Sequence, residues 1–206
     1  MTRIEQIMRL APVIPVLVIE DAAYAVAIAQ ALVAGGLPVI EVTLRTASAL
    51  DVIREMKQVP GAIVGAGTVL NEHALEDALA AGSEFIVSPG LTESLAKAAI
   101  AAGAPFLPGI ATPADIMRGL DLGLDRFKFF PAEASGGIPA LKAIAAPFAT
   151  VRFCPTGGIT AASAPAWLAL EAVLCCGGSW LVNKGPPDVA AIEAAARAAS
   201  GLVSRP

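Results

Sequence analysis

The chain has 206 residues and a formal net charge of −4; 56% of its residues are hydrophobic and only 16% are charged. This balance leaves no broad basic surface for nucleic acid or anionic lipid, and it favours a small-molecule partner. The cysteines Cys154, Cys175 and Cys176 form no C-x-x-C pair, which indicates neither a disulfide framework nor a zinc site, so a reducing cytoplasm is the expected compartment.

The first apolar run, residues 10–19, follows two arginines and superficially resembles the core of an export signal. Pro12 and Pro15 interrupt this run, and the acidic residues 20–21 close it where a small-residue cleavage site would follow. We therefore expect no exported leader. The uncharged stretch 22–40 is long enough to suggest a membrane span, but glycines and a proline near its end break it, and we expect helix, turn and strand there, with no membrane contact.

The rest of the chain alternates short apolar runs with alanine-rich stretches of helical spacing, such as residues 23–34 and 72–82. The apolar runs are typical of strands, and they begin near Val13, Ile40, Ile63, Phe85, Phe106, Phe127, Arg152 and Val173. Successive runs begin 21 to 27 residues apart, which is the length of a strand, a helix and two short loops. Alternating strands and helices indicate a parallel sheet, and eight such units predict one domain over residues 1–206, a (β/α)8 TIM barrel.

A doubly wound open sheet is the competing α/β architecture. It is expected to carry a G-x-G-x-x-G turn after the first strand, and residues 15–25 contain none. Four prolines fall within or at the ends of the predicted strands, where proline cannot donate to the ladder. We expect bulges or strand ends at Pro15, Pro89, Pro108 and Pro155.

Lys128 is the one lysine within a predicted strand, and it lies between Phe127 and Phe129. Burying an ammonium there is costly unless another group compensates for the lost hydration. Successive side chains of a strand point to opposite faces. If the two phenylalanines pack against the outer helices, Lys128 points into the barrel.

Strand two repeats this alternation. Its apolar positions form one face, which leaves Glu41, Thr43 and Arg45 to line the interior with Lys128. A buried pair of Glu41 and Lys128 that only satisfies a polar core is the simpler interpretation. Arg45 favours a functional site, because a structural pair needs no further cation.

Glycine pairs follow strands seven and eight in the segments PTGGI (155–159) and CGGSW (176–180). Backbone N–H groups of glycine loops approach anions closely, and the loops after the last two strands of this barrel are a frequent phosphate site. Tight βα turns are the alternative explanation for each pair. The segment GAGT (65–68) lacks the third glycine of a dinucleotide loop, and we interpret it as a strand end that presents Thr68.

Other candidates are weaker. His73 lies on a predicted helix, where a solvated or capping role is expected, and no suitably placed partners suggest a metal site. The remaining lysines are expected to be exposed on helices or, for Lys184, in a loop.

Six motifs, in order and on different strands, resemble the bacterial 2-keto-3-deoxy-6-phosphogluconate (KDPG) aldolases, which also cleave 4-hydroxy-2-oxoglutarate (KHG). They are EVTLRT (41–46), GAGTVL (65–70), VSPG (87–90), RFKFFPAE (126–133), RFCPTGGI (152–159) and GGSW (177–180). The resemblance implies a class I aldolase that uses a Schiff base and needs neither metal nor cofactor. It also implies a (β/α)8 barrel that is usually a homotrimer.

The same resemblance implies roles for individual residues. Lys128 is the Schiff-base lysine and Glu41 the general acid/base, while Arg45 and Thr68 hold the pyruvate carboxylate. Pro89 and Phe130 border the pocket. The region of the distal hydroxyls and phosphate comprises Thr156, Gly157, Gly158, Gly178 and Ser179. The segments 37–38 and 183–188 depart most from the family pattern.

Two functions of other classes remain open on the sequence. An isomerase or epimerase of phosphosugars on the same fold needs phosphate loops and an acid but not the lysine. A non-catalytic phosphosugar-binding module needs only the loops. Aldolase chemistry uses the loops, the acid and the lysine together. Burial favours the neutral form of the lysine amine, which is the form that attacks a ketone.

Overall fold

The structure, a computed structural model that describes residues 1–202, alternates strands and helices along the chain. The strands are β1 (Val13–Leu17), β2 (Val39–Thr43), β3 (Ile63–Gly67), β4 (Ile86–Val87), β5 (Phe106–Leu107), β6 (Gly109–Ile110), β7 (Arg126–Phe129), β8 (Arg152–Pro155) and β9 (Cys176–Gly178). The helices are α1 (Arg3–Met8), α2 (Ala25–Ala34), α3 (Ala49–Met56), α4 (Glu72–Ala80), α5 (Glu93–Ala101), α6 (Pro113–Asp121), α7 (Gly137–Ala145), α8 (Ala164–Leu168) and α9 (Val189–Ser200). A 3-10 turn, Ala22–Tyr24, precedes α2.

Local sequence signals fix where several helices begin. Asn71 before α4 and Asp188 before α9 each accept a hydrogen bond from a backbone N–H group of the first turn. Thr112 and Asp115 form a capping box at α6, whose first residue, Pro113, needs no hydrogen-bond acceptor at that position. These caps stop each helix from extending back into the loop that follows a strand.

All strand pairs are parallel, as the alternation of strands and helices predicts. Strands β5, β4, β3, β2, β1 and β9 form one sheet in that order, and β6, β7 and β8 form another. Pro108 alone separates β5 from β6. Isolated parallel bridges from Phe153 to Val173 and from Thr156 to Gly177 connect β8 with the segment of β9. The fold is therefore α/β with a curled parallel sheet.

The sequence predicts a bulge or strand end at each of four prolines, and the structure agrees at three of them. Pro155 ends β8 and Pro108 interrupts the fifth predicted strand, whereas Pro89 lies beyond the end of β4. Pro15 contradicts the expectation of a bulge or strand end, because it lies inside β1. It is tolerated where the pairing of β1 passes from β9, at residues 13–15, to β2, at residues 16–17, so few ladder bonds depend on its missing N–H.

Alternate strand residues belong to two apolar clusters. The larger cluster lies between the strands and the helices, whereas the smaller one is lined by the opposite strand face and is covered by α1. The smaller cluster comprises Ile4, Ile7, Met8, Ile14, Val39, Phe85, Val87, Leu107, Cys154, Leu174 and Cys175. The inner face of the curled sheet is thus filled next to α1, and polar side chains are left for its other end.

An ion-pair cluster holds α1 in this position. Glu5 Oε2 lies 2.9 Å from Arg126 Nη2 at the start of β7, and Glu5 Oε1 lies 2.9 Å from Arg9 Nε. Burial of the carboxyl opposes ionisation, but hydrogen bonds and charges from both arginines outweigh it and lower the pKa of Glu5. Helix α1 therefore covers the amino ends of the strands, and the carboxyl ends remain available. Within residues 1–202, no helix combines the length and the apolar character that crossing a bilayer requires.

Candidate active site

The side chain of Lys128 on β7 points away from its aromatic neighbours. Phe127 and Phe129 belong to the larger cluster between strands and helices, and the Phe129 ring lies 6.3 Å from that of Trp167 on α8. Lys128 is 5% exposed on the opposite, inner face. The alternation that the sequence predicts for this strand is confirmed.

Lys128 is paired with Glu41, which β2 brings from 87 residues away. Its Nζ donates to Glu41 Oε1 at 2.9 Å and to Oε2 at 3.3 Å, and both side chains are almost inaccessible. A buried ion pair gains from a low local dielectric but loses the hydration of both charges. A proton passing from Nζ to the carboxylate removes both charges at once, so this pair can deliver a neutral amine beside a protonated acid.

Gly67 at the end of β3 provides the space that the Glu41 carboxylate occupies. A β-carbon at this position would overlap Oε1, and it would also lie 2.7 Å from Cγ of Glu41. Strand β3 pairs in parallel with β2, with Gly67 opposite Thr43, so the contact is built into the sheet register. The sequence predicts this glycine as part of a strand end that presents Thr68, which is where β3 ends, but it does not indicate that the glycine makes room for the acid.

Arg45 differs from its expected position. Strand β2 ends at Thr43, so Arg45 lies beyond it in the following loop and is exposed, rather than on the inner face of the strand. Its Nε donates to Thr68 Oγ1 at 3.1 Å. Thr68 has a φ of 60°, which is strained for a β-branched residue. Arg45 and Thr68 together form a polar group at the carboxyl ends of β2 and β3.

Phe130 borders Lys128, and Pro89 lies beside the strand residue that pairs with Lys128. The Phe130 ring centroid lies 5.3 Å from Lys128 Nζ, and the same ring lies against Gly157. The carbonyl of Pro89 approaches Gly109, which is the pairing partner of Lys128 on β6. Phe130 therefore lies between the lysine and the first glycine loop.

The two glycine loops lie side by side. Thr156 is 6% exposed and forms a parallel bridge with Gly177, so the loops after β8 and β9 begin next to each other. Residues 157–158 have φ values of 107° and 78°, which a residue with a side chain rarely adopts. Gly178 ends β9, and Ser179 follows it in an exposed position. The structure thus brings all the glycine-loop candidates to one edge of the sheet.

Comparisons with known proteins agree on one family. The chain matches the family described as KDPG and KHG aldolase over residues 4–195. It is 64% identical to 2-dehydro-3-deoxy-phosphogluconate aldolase of Zymomonas mobilis over 98% of this chain and 97% of that protein. The chain belongs to the KDPG and KHG aldolase family.

Two solved structures of this aldolase family share its fold. The aldolase of Zymomonas mobilis with 3-phosphoglycerate has a TM-score of 0.96 at 63% identity, over 98% of this chain and 96% of that one. The aldolase of Legionella pneumophila, with pyruvate captured at low pH as a covalent carbinolamine intermediate, has a TM-score of 0.92 at 41% identity, over 97% of this chain and 99% of that one.

In this member of the family the other polar candidates lie apart from Lys128 and Glu41. The side chain of His73 on α4 is 84% exposed, and its Nε2 lies 3.6 Å from Asp77. All lysines other than Lys128 are exposed, namely Lys57, Lys97, Lys142 and Lys184. Among residues 1–202, no three His, Cys, Asp or Glu side chains gather as metal ligands would.

Three buried cysteines lie on or beside the last two strands. Cys154 on β8 is the pairing partner of Lys128 on β7, and its Sγ lies 3.9 Å from Thr156 Oγ1. A hydrogen bond with Cys154 and burial raise the pKa of the Cys175 thiol, and burial raises the pKa of Cys176. These two thiols therefore stay protonated at neutral pH and pack as small apolar side chains.

A contact behind the first glycine loop joins two residues that the sequence does not single out as partners. Trp167 Nε1 donates to Glu133 Oε1 at 3.0 Å. Glu133 closes the motif RFKFFPAE, but the fold alone brings it to a tryptophan that is 34 residues away. No spacing in the sequence indicates this pairing.

Proposed function

We propose that this protein is a class I aldolase that cleaves KDPG into pyruvate and glyceraldehyde 3-phosphate and also acts on KHG. The observation that carries the proposal is the buried contact of 2.9 Å between Lys128 and Glu41. It supports the proposal because an amine and a carboxylate lie together on the inner face of the sheet, where a carbonyl compound entering from the carboxyl ends of the strands can meet both. Membership of the aldolase family supports this assignment.

Lys128 is the proposed nucleophile. After its proton has passed to Glu41, the neutral amine attacks the C2 carbonyl of the substrate and forms a carbinolamine. The carbinolamine hydroxyl takes the proton back from Glu41 and leaves as water, which gives a protonated imine and restores the Glu41 carboxylate. The carbinolamine of pyruvate captured in the Legionella pneumophila aldolase is the same type of intermediate.

Glu41 is the proposed acid/base in the cleavage step. It accepts the proton of the C4 hydroxyl while the electrons of the C3–C4 bond move into the imine, which leaves an enamine and releases the aldehyde. Glu41 then returns a proton to C3. Hydrolysis of the resulting imine releases pyruvate and regenerates the amine of Lys128.

The two ends of the substrate require different partners. We assign the pyruvate carboxylate to the guanidinium of Arg45 and the hydroxyl of Thr68, which are joined by their hydrogen bond of 3.1 Å. Pro89 and Phe130 form the apolar walls around the reacting carbons. The distal hydroxyls and phosphate are assigned to Thr156 and to the backbone N–H groups and hydroxyl of Gly157, Gly158, Gly178 and Ser179.

The finer architecture belongs to the same proposal. We infer one domain over residues 1–206 whose strands close into an eight-stranded barrel, with β5 and β6 as one strand divided at Pro108. The bridges between β8 and β9 support closure on one side. We also propose a cytoplasmic homotrimer without a metal or cofactor.

The direct test is to incubate the purified protein with KDPG and to measure pyruvate and glyceraldehyde 3-phosphate separately. An aldolase releases the two products in equal amounts. An isomerase or epimerase consumes the substrate without releasing pyruvate, and a binding module leaves the substrate intact. Either of these results contradicts the proposal.

A further inference from the structure

The loop after β8 is held from behind by Glu133, a residue in the loop after β7. The backbone N–H of Glu133 donates to the Gly157 carbonyl at 3.0 Å, and the N–H of Ala132 donates to the Thr156 carbonyl at 2.8 Å. The stem of the Glu133 side chain fills the space beside Gly158, where an added β-carbon would lie 2.8 Å from Cβ and Cγ of Glu133. The carboxylate then reaches Trp167 at 3.0 Å.

Glu133 and its neighbour Ala132 contact the glycine pair through both backbone and side chain. Two backbone hydrogen bonds fix residues 156–157, and the stem of the Glu133 side chain, whose carboxylate accepts from Trp167, lies beside Gly158. Trp167 is fully buried on α8, which follows the same loop in the chain, so its ring is a rigid anchor. A carboxylate acceptor makes this a charge-assisted hydrogen bond, stronger than one between neutral groups.

We propose that Glu133 is a positioning residue for the phosphate end of the substrate, and that its hydrogen bond with the Trp167 indole holds Gly157 and Gly158 in the conformation that presents their N–H groups. This inference rests on the proposed aldolase function and on the assignment of the glycine loops to the phosphate. It adds two residues, neither of which touches the reacting atoms, to those that determine substrate preference.

The geometry separates this role from the chemistry. Lys128 and Glu41 are held by their mutual hydrogen bonds and by the space beside Gly67, whereas Trp167 approaches β7 through its ring, which packs near Phe129. Trp167→Phe keeps an aromatic ring at that contact, and the Glu133 variants leave it unchanged. Greater mobility of the glycine loop is therefore expected to weaken phosphate binding and to leave Schiff-base formation with pyruvate intact. A purely structural contact, in contrast, changes the melting temperature without changing the preference between substrates.

The test compares three variants with wild type by the ratio of kcat/KM for KDPG to kcat/KM for KHG, which has no phosphate. Glu133→Ala and Trp167→Phe each remove the hydrogen bond and are expected to lower the ratio at least about tenfold, mainly through KM for KDPG. Glu133→Gln keeps an oxygen that accepts from the indole N–H, and it is expected to retain most of the wild-type ratio. Glu171→Gln is the matched control, because it changes an exposed carboxylate that lies outside the two glycine loops.

Two results would overturn the inference. One is an unchanged ratio in a folded Glu133→Ala variant, and the other is an equal loss in Glu133→Ala and Glu133→Gln, which would make the charge rather than the hydrogen bond responsible. If Trp167→Phe does not fold, the two Glu133 variants still decide. Wild-type protein that releases no pyruvate from either substrate instead contradicts the proposed function, so the two failures are distinguishable.

Discussion

The carboxylate of Glu41 lies against Gly67 on the inner face of the sheet and occupies the volume that a side chain at residue 67 would fill. The absence of a side chain at Gly67 thereby makes room for the carboxylate of the proposed acid/base. Since Lys128 donates to the same carboxylate, a change at Gly67 affects both members of the pair.

The first prediction concerns this glycine. Gly67→Ala should displace the Glu41 carboxylate and lower kcat for KDPG by about 100-fold or more, the usual contribution of a positioned acid/base. Steady-state kinetics measure the loss, and thermal unfolding shows whether the variant is folded. Gly201→Ala is the control, because an added β-carbon at that position would lie 3.6 Å from the nearest atom, which is an ordinary van der Waals contact. A wild-type kcat in Gly67→Ala would contradict the claim that Gly67 makes room for the Glu41 carboxylate.

The second prediction separates proton transfer from nucleophilic attack. Glu41→Gln keeps the shape of the side chain but cannot accept the proton of the C4 hydroxyl, so cleavage of KDPG should fall by about 100-fold or more. Exchange of the pyruvate methyl protons with solvent deuterium, followed by NMR, should slow in parallel. Near-normal exchange in this variant would mean that another group moves the proton.

The third prediction concerns the phosphate loops. Ser179→Asp places a carboxylate next to the proposed phosphate site, where repulsion between like charges costs more than the loss of one hydroxyl donor. KM for KDPG should therefore rise strongly, while cleavage of KHG should fall much less. Equal effects on the two substrates, or no effect on either, would move the phosphate site elsewhere.

Period-2 alternation predicts one part of the site well and another part poorly. It correctly puts Lys128 and Phe129 on opposite faces, because β7 extends through both residues. The same reasoning fails at Arg45, because β2 ends at Thr43 and the chain turns before the arginine. Alternation in sequence carries no information about where a strand stops, and β-propensity alone does not supply it.

Contacts between distant segments are the part that the sequence does not predict. The position of the Glu41 carboxylate beside Gly67 depends on the register of β2 and β3. The hydrogen bond between Glu133 and Trp167 depends on how α8 packs. Pro15 was expected to mark a bulge or strand end, yet it lies inside β1 because two different partners share that strand. The parallel α/β order, in contrast, follows from local patterns repeated along the chain and was predicted.

The fourth prediction concerns stability and pH. Because the pKa of Glu5 is lowered on folding from its ordinary value of 4.5, its ion pairs stabilise the protein above that value, and the contribution is lost as pH falls through the lowered pKa. Glu5→Gln should therefore lower the melting temperature near neutral pH, and the difference from wild type should shrink as the pH falls below 4.5 and through the lowered pKa. Glu171→Gln, at an exposed site, serves as the control. A difference that grows on acidification would contradict the account.

The central claim is that Lys128 forms a Schiff base, and trapping with pyruvate and borohydride tests it most directly. Reduction of the imine should give a stable adduct with the mass of a reduced pyruvyl group, and peptide mapping should locate it at Lys128. Lys128→Ala should give no adduct and no cleavage of KDPG. An adduct at Lys142 or Lys184, or full turnover in Lys128→Ala, would contradict the account.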